Sequence, residues 1–318
     1  MGSTGNSTAS RLVLVVGNNR IATSITTALY QSGSYEIHQI VPRRTSVHHT
    51  KGITVHESDL SSQSLRHILS TIHPDVFIST ASGGDFAFQK LLIDIAIETK
   101  VLRFIPAEFG HDSLNTRLQE RLPPSKERAR TIEYLRQCSG QGKIEWVGLA
   151  MSCLLDHGIL SGNLGFDLKW HSATLHGSGD EHFAASSTPF VGEAVFAAVQ
   201  HWEEVKNQYL HTASMSTTTN TVLAALEVVT GKQWEAGRSD VEDCVREAER
   251  RVERGWPDAG MFLMERSVLY DEGLDALKPF LDHDAKDMLK LRGEDVEGLV
   301  KEVVHQHKHY GKGDCGCG

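Results

Sequence analysis

The chain has 318 residues, 40% of them hydrophobic, and a mean hydropathy of −0.27, which fits an ordinary globular protein with room for one large α/β domain and a smaller companion. Its net charge of −9 and pI near 6.0 exclude a surface built for nucleic acid, which needs clustered excess Lys and Arg. No apolar run reaches the roughly 18–20 residues of a membrane helix, so no membrane partner is expected.

Residues 1–10 are small and polar, lack the charged-then-apolar layout of a signal peptide, and are expected to form a flexible lead-in. Strand and helix patterns then alternate. Residues 12–16 are a bare β-branched run, 21–31 are helix-compatible, and 35–41 and 52–60 read as two further strands. A helix over 62–72 precedes a strand over 75–80, and a helix over 86–100 precedes the apolar run that starts at Val101. A long helix over 125–138 and a strand over 143–151 complete the first half. This order predicts a doubly wound parallel sheet covered on both faces, a Rossmann-type α/β fold. Beyond residue 154 the pattern loosens into glycine-rich turns, a helix over 191–202, a short strand over 209–213 and a helix over 219–230 closed by Gly231. This stretch is expected to build a smaller α+β substrate domain. The predicted division is 1–10 lead-in, 11–153 nucleotide domain, 154–304 mainly substrate domain with some elements returning to the sheet, and 305–318 a flexible tail.

The first strand turns at Gly17-Asn-Asn-Arg-Ile-Ala22. In dinucleotide folds this turn needs a glycine for tightness, a second for close approach of the pyrophosphate and a small residue for helix packing. Gly17 and Ala22 satisfy the first and last needs, while Asn19 replaces the middle glycine and is expected to support the turn through its tolerance of left-handed backbone. Asn18, Arg20 and Ile21 complete the expected phosphate site at the helix N-terminus. The second strand ends in Val41-Pro-Arg-Arg44, with Lys51 shortly after and no acidic residue in Val41–Arg44. Cations there suit a 2′-phosphate, so Arg43, Arg44 and Lys51 point to NADP(H), although a solvated basic loop has the same composition. Thr80 and Ala81, where the fourth strand ends, are expected on the same cofactor crevice.

The run Val101-Leu-Arg-Phe-Ile-Pro-Ala-Glu-Phe-Gly-His-Asp112 reads as a buried strand emptying into a loop, the place where open α/β sheets bind ligands. Lys126 and Arg130 follow at i and i+4, on one helix face. Two neighbouring cations raise each other's cost of ionisation, and the lysine is the one that drifts toward neutrality. Lys126 is therefore the expected general acid/base, with Arg130 on the substrate. His111 is either a second proton-transfer group or an exposed loop histidine. Met151 and Trp170, with Leu154, Leu155 and Phe183, line an apolar substrate pocket or simply fill the core.

The segment 89–110, with Phe104-Ile-Pro-Ala-Glu-Phe-Gly110 and Asp112, resembles the NmrA-like and isoflavone reductase-like family of atypical short-chain dehydrogenases, and Gly231-Lys-Gln-Trp-Glu235 is similar to a second segment of that family. The resemblance runs from about residue 12 to 304. It implies an NADPH-binding Rossmann domain, a smaller C-terminal substrate domain and a catalytic lysine, which Lys126 in Pro124-Ser-Lys-Glu-Arg-Ala-Arg130 matches, with Arg130 matching a ligand-binding arginine. The middle glycine of the turn is missing, and Tyr134 is followed by Cys138 where ordinary short-chain dehydrogenases carry Tyr-x-x-x-Lys. The expected activity is NADPH-dependent reduction of an aromatic, polyketide- or alkaloid-like small molecule. An NADP(H)-bound isomerase and a non-catalytic NADP-responsive regulator remain alternatives.

Five cysteines without framework spacing suggest a reducing, cytoplasmic setting. A homodimer is compatible with the sequence. The tail from His305 to Cys315 and Cys317 alternates His with a Cys-x-Cys pair, but its glycine density predicts a disordered terminus and no metal site.

Overall fold

The computed structural model describes residues 11–43 and 52–309. Arg44, Lys51, the lead-in and residues 310–318 with Cys315 and Cys317 lie outside the described residues.

In chain order the elements are β1 (Arg11–Val16), α1 (Arg20–Gln31), β2 (Tyr35–Pro42), β3 (Ile53–Ser58), α2 (Ser62–Ile72), β4 (Val76–Ser79), α3 (Phe86–Glu98), β5 (Arg103–Ile105), α4 (Thr116–Arg121), α5 (Pro123–Gly140) and β6 (Glu145–Ala150). Then come β7 (Cys153–Leu154), α6 (Leu155–Leu160), β8 (Phe166–Asp167), β9 (Ser172–His176), β10 (Phe183–Ser186), α7 (Thr188–Gln200), α8 (Trp202–Val205), β11 (Gln208–His211) and β12 (Met215–Thr217). The chain continues through α9 (Thr219–Thr230), β13 (Glu235–Ser239), α10 (Val241–Glu253), α11 (Pro257–Tyr270), α12 (Lys278–Asp282), α13 (Lys286–Leu289) and α14 (Val296–His309).

The central sheet runs β11-β6-β5-β4-β1-β2-β3, every neighbour parallel. Strand order reverses between β1 and β4, which opens a crevice at their carboxyl ends. Alternate residues of β1 serve opposite cores, as the two-residue period of a strand requires. Val13 and Val15 pack with Ile25 and Leu29 of α1 and Phe190 and Val195 of α7. Leu14 and Val16 join Leu65 and Leu69 of α2, Leu92 of α3 and Ile132 and Leu135 of α5. Both faces are thus dry, and a continuous apolar strand results. α1 and α7 approach so closely that a Cβ on Gly192 would stand 2.5 Å from the Ser24 carbonyl oxygen.

The strand expected over 209–213 is β11, which pairs with β6 as the seventh strand, so the second half does return to the first. α7 and α8 pack on the core of the central sheet, and that half also forms two small sheets, β12-β10-β7 and β13-β9-β8, over a separate core that includes Leu175, Phe183, Leu226, Trp234 and Val300. Gly231 closes α9 with φ +63°. The tail departs from expectation: α14 continues through His309, and the rings of His305 and His309 lie one turn apart, tilted by 36° with centroids at 4.3 Å. Val300, Val303 and Val304 bury one face of that helix, which holds the polar turn beyond them in register. No helix among the described residues is long and apolar enough to cross a membrane.

Candidate active site

Gly17 leaves β1 at φ +130°, and a Cβ there would fall 2.2 Å from Thr80 Oγ1, so a side chain is excluded both by backbone and by space. Its N–H donates to the Ile40 carbonyl (3.0 Å), and its own carbonyl accepts from Gln39 Nε2 (2.8 Å). Asn19 does not take the expected left-handed backbone. It sits at φ −119°, ψ 174° as the N-cap of α1. Its Oδ1 accepts from the Ala22 N–H (2.9 Å), and its Nδ2 donates to the Thr80 carbonyl (2.7 Å). A short amide that can both accept and donate therefore ties the helix start to the strand across the crevice. The N–H groups of Arg20 and Ile21, among those an α-helix cannot pair internally, remain for an anion. Arg20 and Asn18 are exposed beside them.

Thr80 donates from N and Oγ1 to the Val16 carbonyl (2.9 and 3.0 Å), and the Ala81 carbonyl accepts from Gln89 Nε2 (2.6 Å). Both expected cofactor residues, just beyond the end of β4, thus flank the turn. Arg43 is exposed where β2 ends, its N–H donating to the Ser58 carbonyl (2.9 Å).

Beyond β5, Pro106–Phe109 are buried. Tyr209 of β11 donates its hydroxyl to Glu108 Oε1 (2.8 Å) and accepts from the Ser113 N–H (3.0 Å). Burial pushes the Glu108 carboxyl above the usual carboxylate range, against the lowering charge of Arg128 and the hydrogen bonds from Ser113 and Tyr209. The Gly110 carbonyl accepts from both Met151 N and Ser152 N at 2.9 Å. These bonds hold the loop against the end of β6, with Phe109, Gly110 and His111 turned to a cavity of about 220 Å³.

That cavity lies between the start of α1 (Ile21), the loop after β5, α5 (Arg128), α6 (His157) and α11. Phe109, Leu154, Leu164, Phe262 and Leu269 supply apolar wall, and Arg128 and Glu265 bring opposite charges to it. Burial, then the Arg128 charge, lowers His111 to about 4, so its ring is neutral at neutral pH. His157 is lowered by burial and by Arg20, against Asp156. Glu265 is pushed up by its crowded surroundings, with Arg128 opposing. Burial raises the Cys153 thiol far enough to keep it inert.

Four residues expected at the site, Lys126, Arg130, Met151 and Trp170, do not line this cavity. Lys126 is exposed on the first turn of α5 and is not among the residues lining this cavity. Arg130 is held by Glu127 at 2.8 Å and lies 4.2 Å from the Phe86 ring centroid, so it does not serve the cavity. Met151 is fully buried in the core. Trp170 is 72% exposed on the turn between β8 and β9, with Lys169 against its ring. Tyr134 donates to Asp94 Oδ1 (2.5 Å) beside Lys90, and burial raises it to about 12, which fits an outer-surface cluster between α3 and α5.

Helix geometry explains why Arg128 and not Lys126 lines the cavity. Ser125, Ile132 and Leu135 are the inward positions of α5, and Arg128 lies i+3 from Ser125 and i−4 from Ile132. Lys126 and Arg130 do share a face, but it is the outer one. That buried pattern is a signal the sequence carried. Nothing in the sequence marked Phe262 or Glu265, whose place depends on the packing of α11.

No family model matches the chain. Oxidoreductase aprR of Aspergillus flavus is 31% identical over 255 residues, 79% of this chain and 84% of the relative. Oxidoreductase poxI of Penicillium oxalicum is 25% identical over 293 residues, 90% and 91% of the two chains. Among solved structures, the leucoanthocyanidin reductase–NADPH complex from Vitis vinifera superposes with a TM-score of 0.74 at 16% identity, covering 92% of this chain and 99% of that one. An isoflavone reductase gives 0.69 at 18% identity, with coverage of 92% and 99%. The chain therefore belongs with the fungal oxidoreductases that aprR represents, and it shares the fold of the isoflavone reductase-like structures.

Proposed function

We propose that the protein is an NADP(H)-dependent reductase of a small, largely apolar molecule of aromatic, polyketide or alkaloid type. The observation that carries this proposal is the cavity itself, which runs from the start of α1, beside the strand-order reversal, to the loop after β5. The residues present fit the cofactor. The open N–H groups of Arg20 and Ile21, with the Arg20 side chain, suit a pyrophosphate, and Arg43 at the end of β2 suits a 2′-phosphate. Asn19 takes one helix donor, that of Ala22, and leaves the others. Two structural neighbours, leucoanthocyanidin reductase with NADPH and AtPrR2 with NADP⁺ and (+)pinoresinol, support the same cofactor and a small-molecule substrate here.

When bound, the nicotinamide supplies the hydride. The apolar wall of Phe109, Leu154 and Leu269 excludes water and orients the substrate body. Proton exchange falls to Glu265, the carboxyl on that wall, which desolvation pushes above the usual carboxylate range. His111, neutral at neutral pH, offers a hydrogen bond without a charge. Lys126 has no place in this scheme.

Nicotinamide fluorescence on titration with NADPH and NADH tests the cofactor assignment. The expected result is at least tenfold tighter binding of NADPH, with the difference lost in Arg43→Ala. Absence of binding of either nucleotide would overturn the assignment.

A further inference from the structure

Arg128 carries five guanidinium donors and has no hydrogen bond or ion pair to any described residue. Its Nε is buried without a partner, and the side chain faces the cavity. The other half-buried arginines among the described residues are all engaged. Arg103 pairs with Glu203, Arg121 with Asp271, Arg251 with Glu247, and Arg266 donates to the Gly162 and Asn163 carbonyls. A buried Nε–H left without an acceptor is costly, and its natural complement is an acceptor brought into the cavity from outside. The position is also fixed: Gly83 and Gly110 leave room for the guanidinium, and a Cβ on either would come 3.2 Å from its nitrogens.

Two carboxylates lie within reach of its field. Glu108 is behind the wall and already bonded to Tyr209, and Glu265 shares the cavity but stands beyond ion-pair distance. Neither neutralises it by contact. Around it the wall is apolar, with Phe109, Leu164 and Leu269.

We infer that Arg128 is the recognition group for an anionic oxygen, a carboxylate, phenolate or enolate, carried on an otherwise apolar substrate. The fork geometry of a guanidinium suits two parallel bonds to such a group and adds direction to affinity. The inference rests on the cavity being the substrate site, and it is independent of which nucleotide binds next to it.

The test uses naphthalene-2-carboxylate and its uncharged analogue naphthalene-2-carboxamide as probes, titrated by calorimetry into the full chain, with NADPH titrated separately. Wild type is expected to prefer the carboxylate by at least tenfold. Arg128→Gln is expected to abolish that preference, Arg128→Lys to keep part of it, and all variants to bind NADPH as wild type does. Equal binding of the two probes by wild type, or an unchanged preference in Arg128→Gln, would overturn the inference. So would a preference that emerges only in Glu265→Gln, since Glu265 would then be the true partner of Arg128. Loss of NADPH binding in Arg128→Gln would place the guanidinium on the cofactor and overturn it as well. If wild type prefers the carboxylate but binds no NADPH, the cofactor assignment falls and the role of Arg128 stands.

Discussion

Replacing Asn19 tests how this chain manages a dinucleotide turn without its middle glycine. Asn19→Ala removes the cap on Ala22 and the amide bond to Thr80. The cap is worth about 1 kcal/mol. The Thr80 bond, made by an exposed residue, adds about 0.5–1 kcal/mol. Together they predict a loss of about 1.5–2 kcal/mol, or roughly 2–3 °C in thermal midpoint for a chain of this length. Asn19→Gly should lose less, about 1 kcal/mol: both side-chain bonds disappear, but glycine at an N-cap costs only a few tenths of a kcal/mol, which leaves mainly the Thr80 bond. It also frees the Ala22 N–H for a phosphate, so NADPH should bind more tightly than to wild type. Differential scanning fluorimetry with and without NADPH reads both effects. If Asn19→Ala melts with wild type, or Asn19→Gly binds NADPH more weakly, the assigned role of this amide is wrong.

Three further outcomes follow from the same geometry. Gly17→Ala, with a Cβ 2.2 Å from Thr80 Oγ1, should destabilise by about 1–3 kcal/mol from overpacking plus the backbone penalty, and Thr80→Ala should recover the steric part, a coupling that urea unfolding of the double mutant would reveal. Lys126→Ala should change turnover by less than about tenfold, against the ~10²–10⁴ that a general acid–base residue contributes, while Glu265→Gln should approach the larger figure in steady-state assays. His176 is buried against Tyr270 with neither ring nitrogen bonded, and burial, then Arg266, lowers it to about 4. The unfolded chain binds its proton first, so this contribution is complete above about pH 6.5 and is lost as pH falls toward 4. Unfolding measured across that window should be less pH-dependent in His176→Phe, and an unchanged slope would count against the assignment.

By itself the sequence determined the parallel sheet and the place of its crevice. A run such as Val13–Val16 is apolar at every position only because both faces of the strand are covered, and helices of 11 to 13 residues between strands force parallel crossovers. Gly17 and the loop after β5 were legible for the same reason: their chemistry is local, written in backbone angle and in the break at Pro106. Residues facing the cavity were another matter. Lys126 and Arg130 share a helix face, but one-dimensional spacing says only that two residues agree in direction, and the burial of Ser125, Ile132 and Leu135 turned that face outward. Trp170 and Met151 are equally apolar on paper, yet one stands 72% exposed and the other is fully buried. Glu265 and Phe262 reach the site from α11, far along the chain from the strands that form its floor. Composition and period define elements, whereas the wall of a cavity is set by how distant elements pack, and here that packing put an arginine without a partner where a lysine was expected.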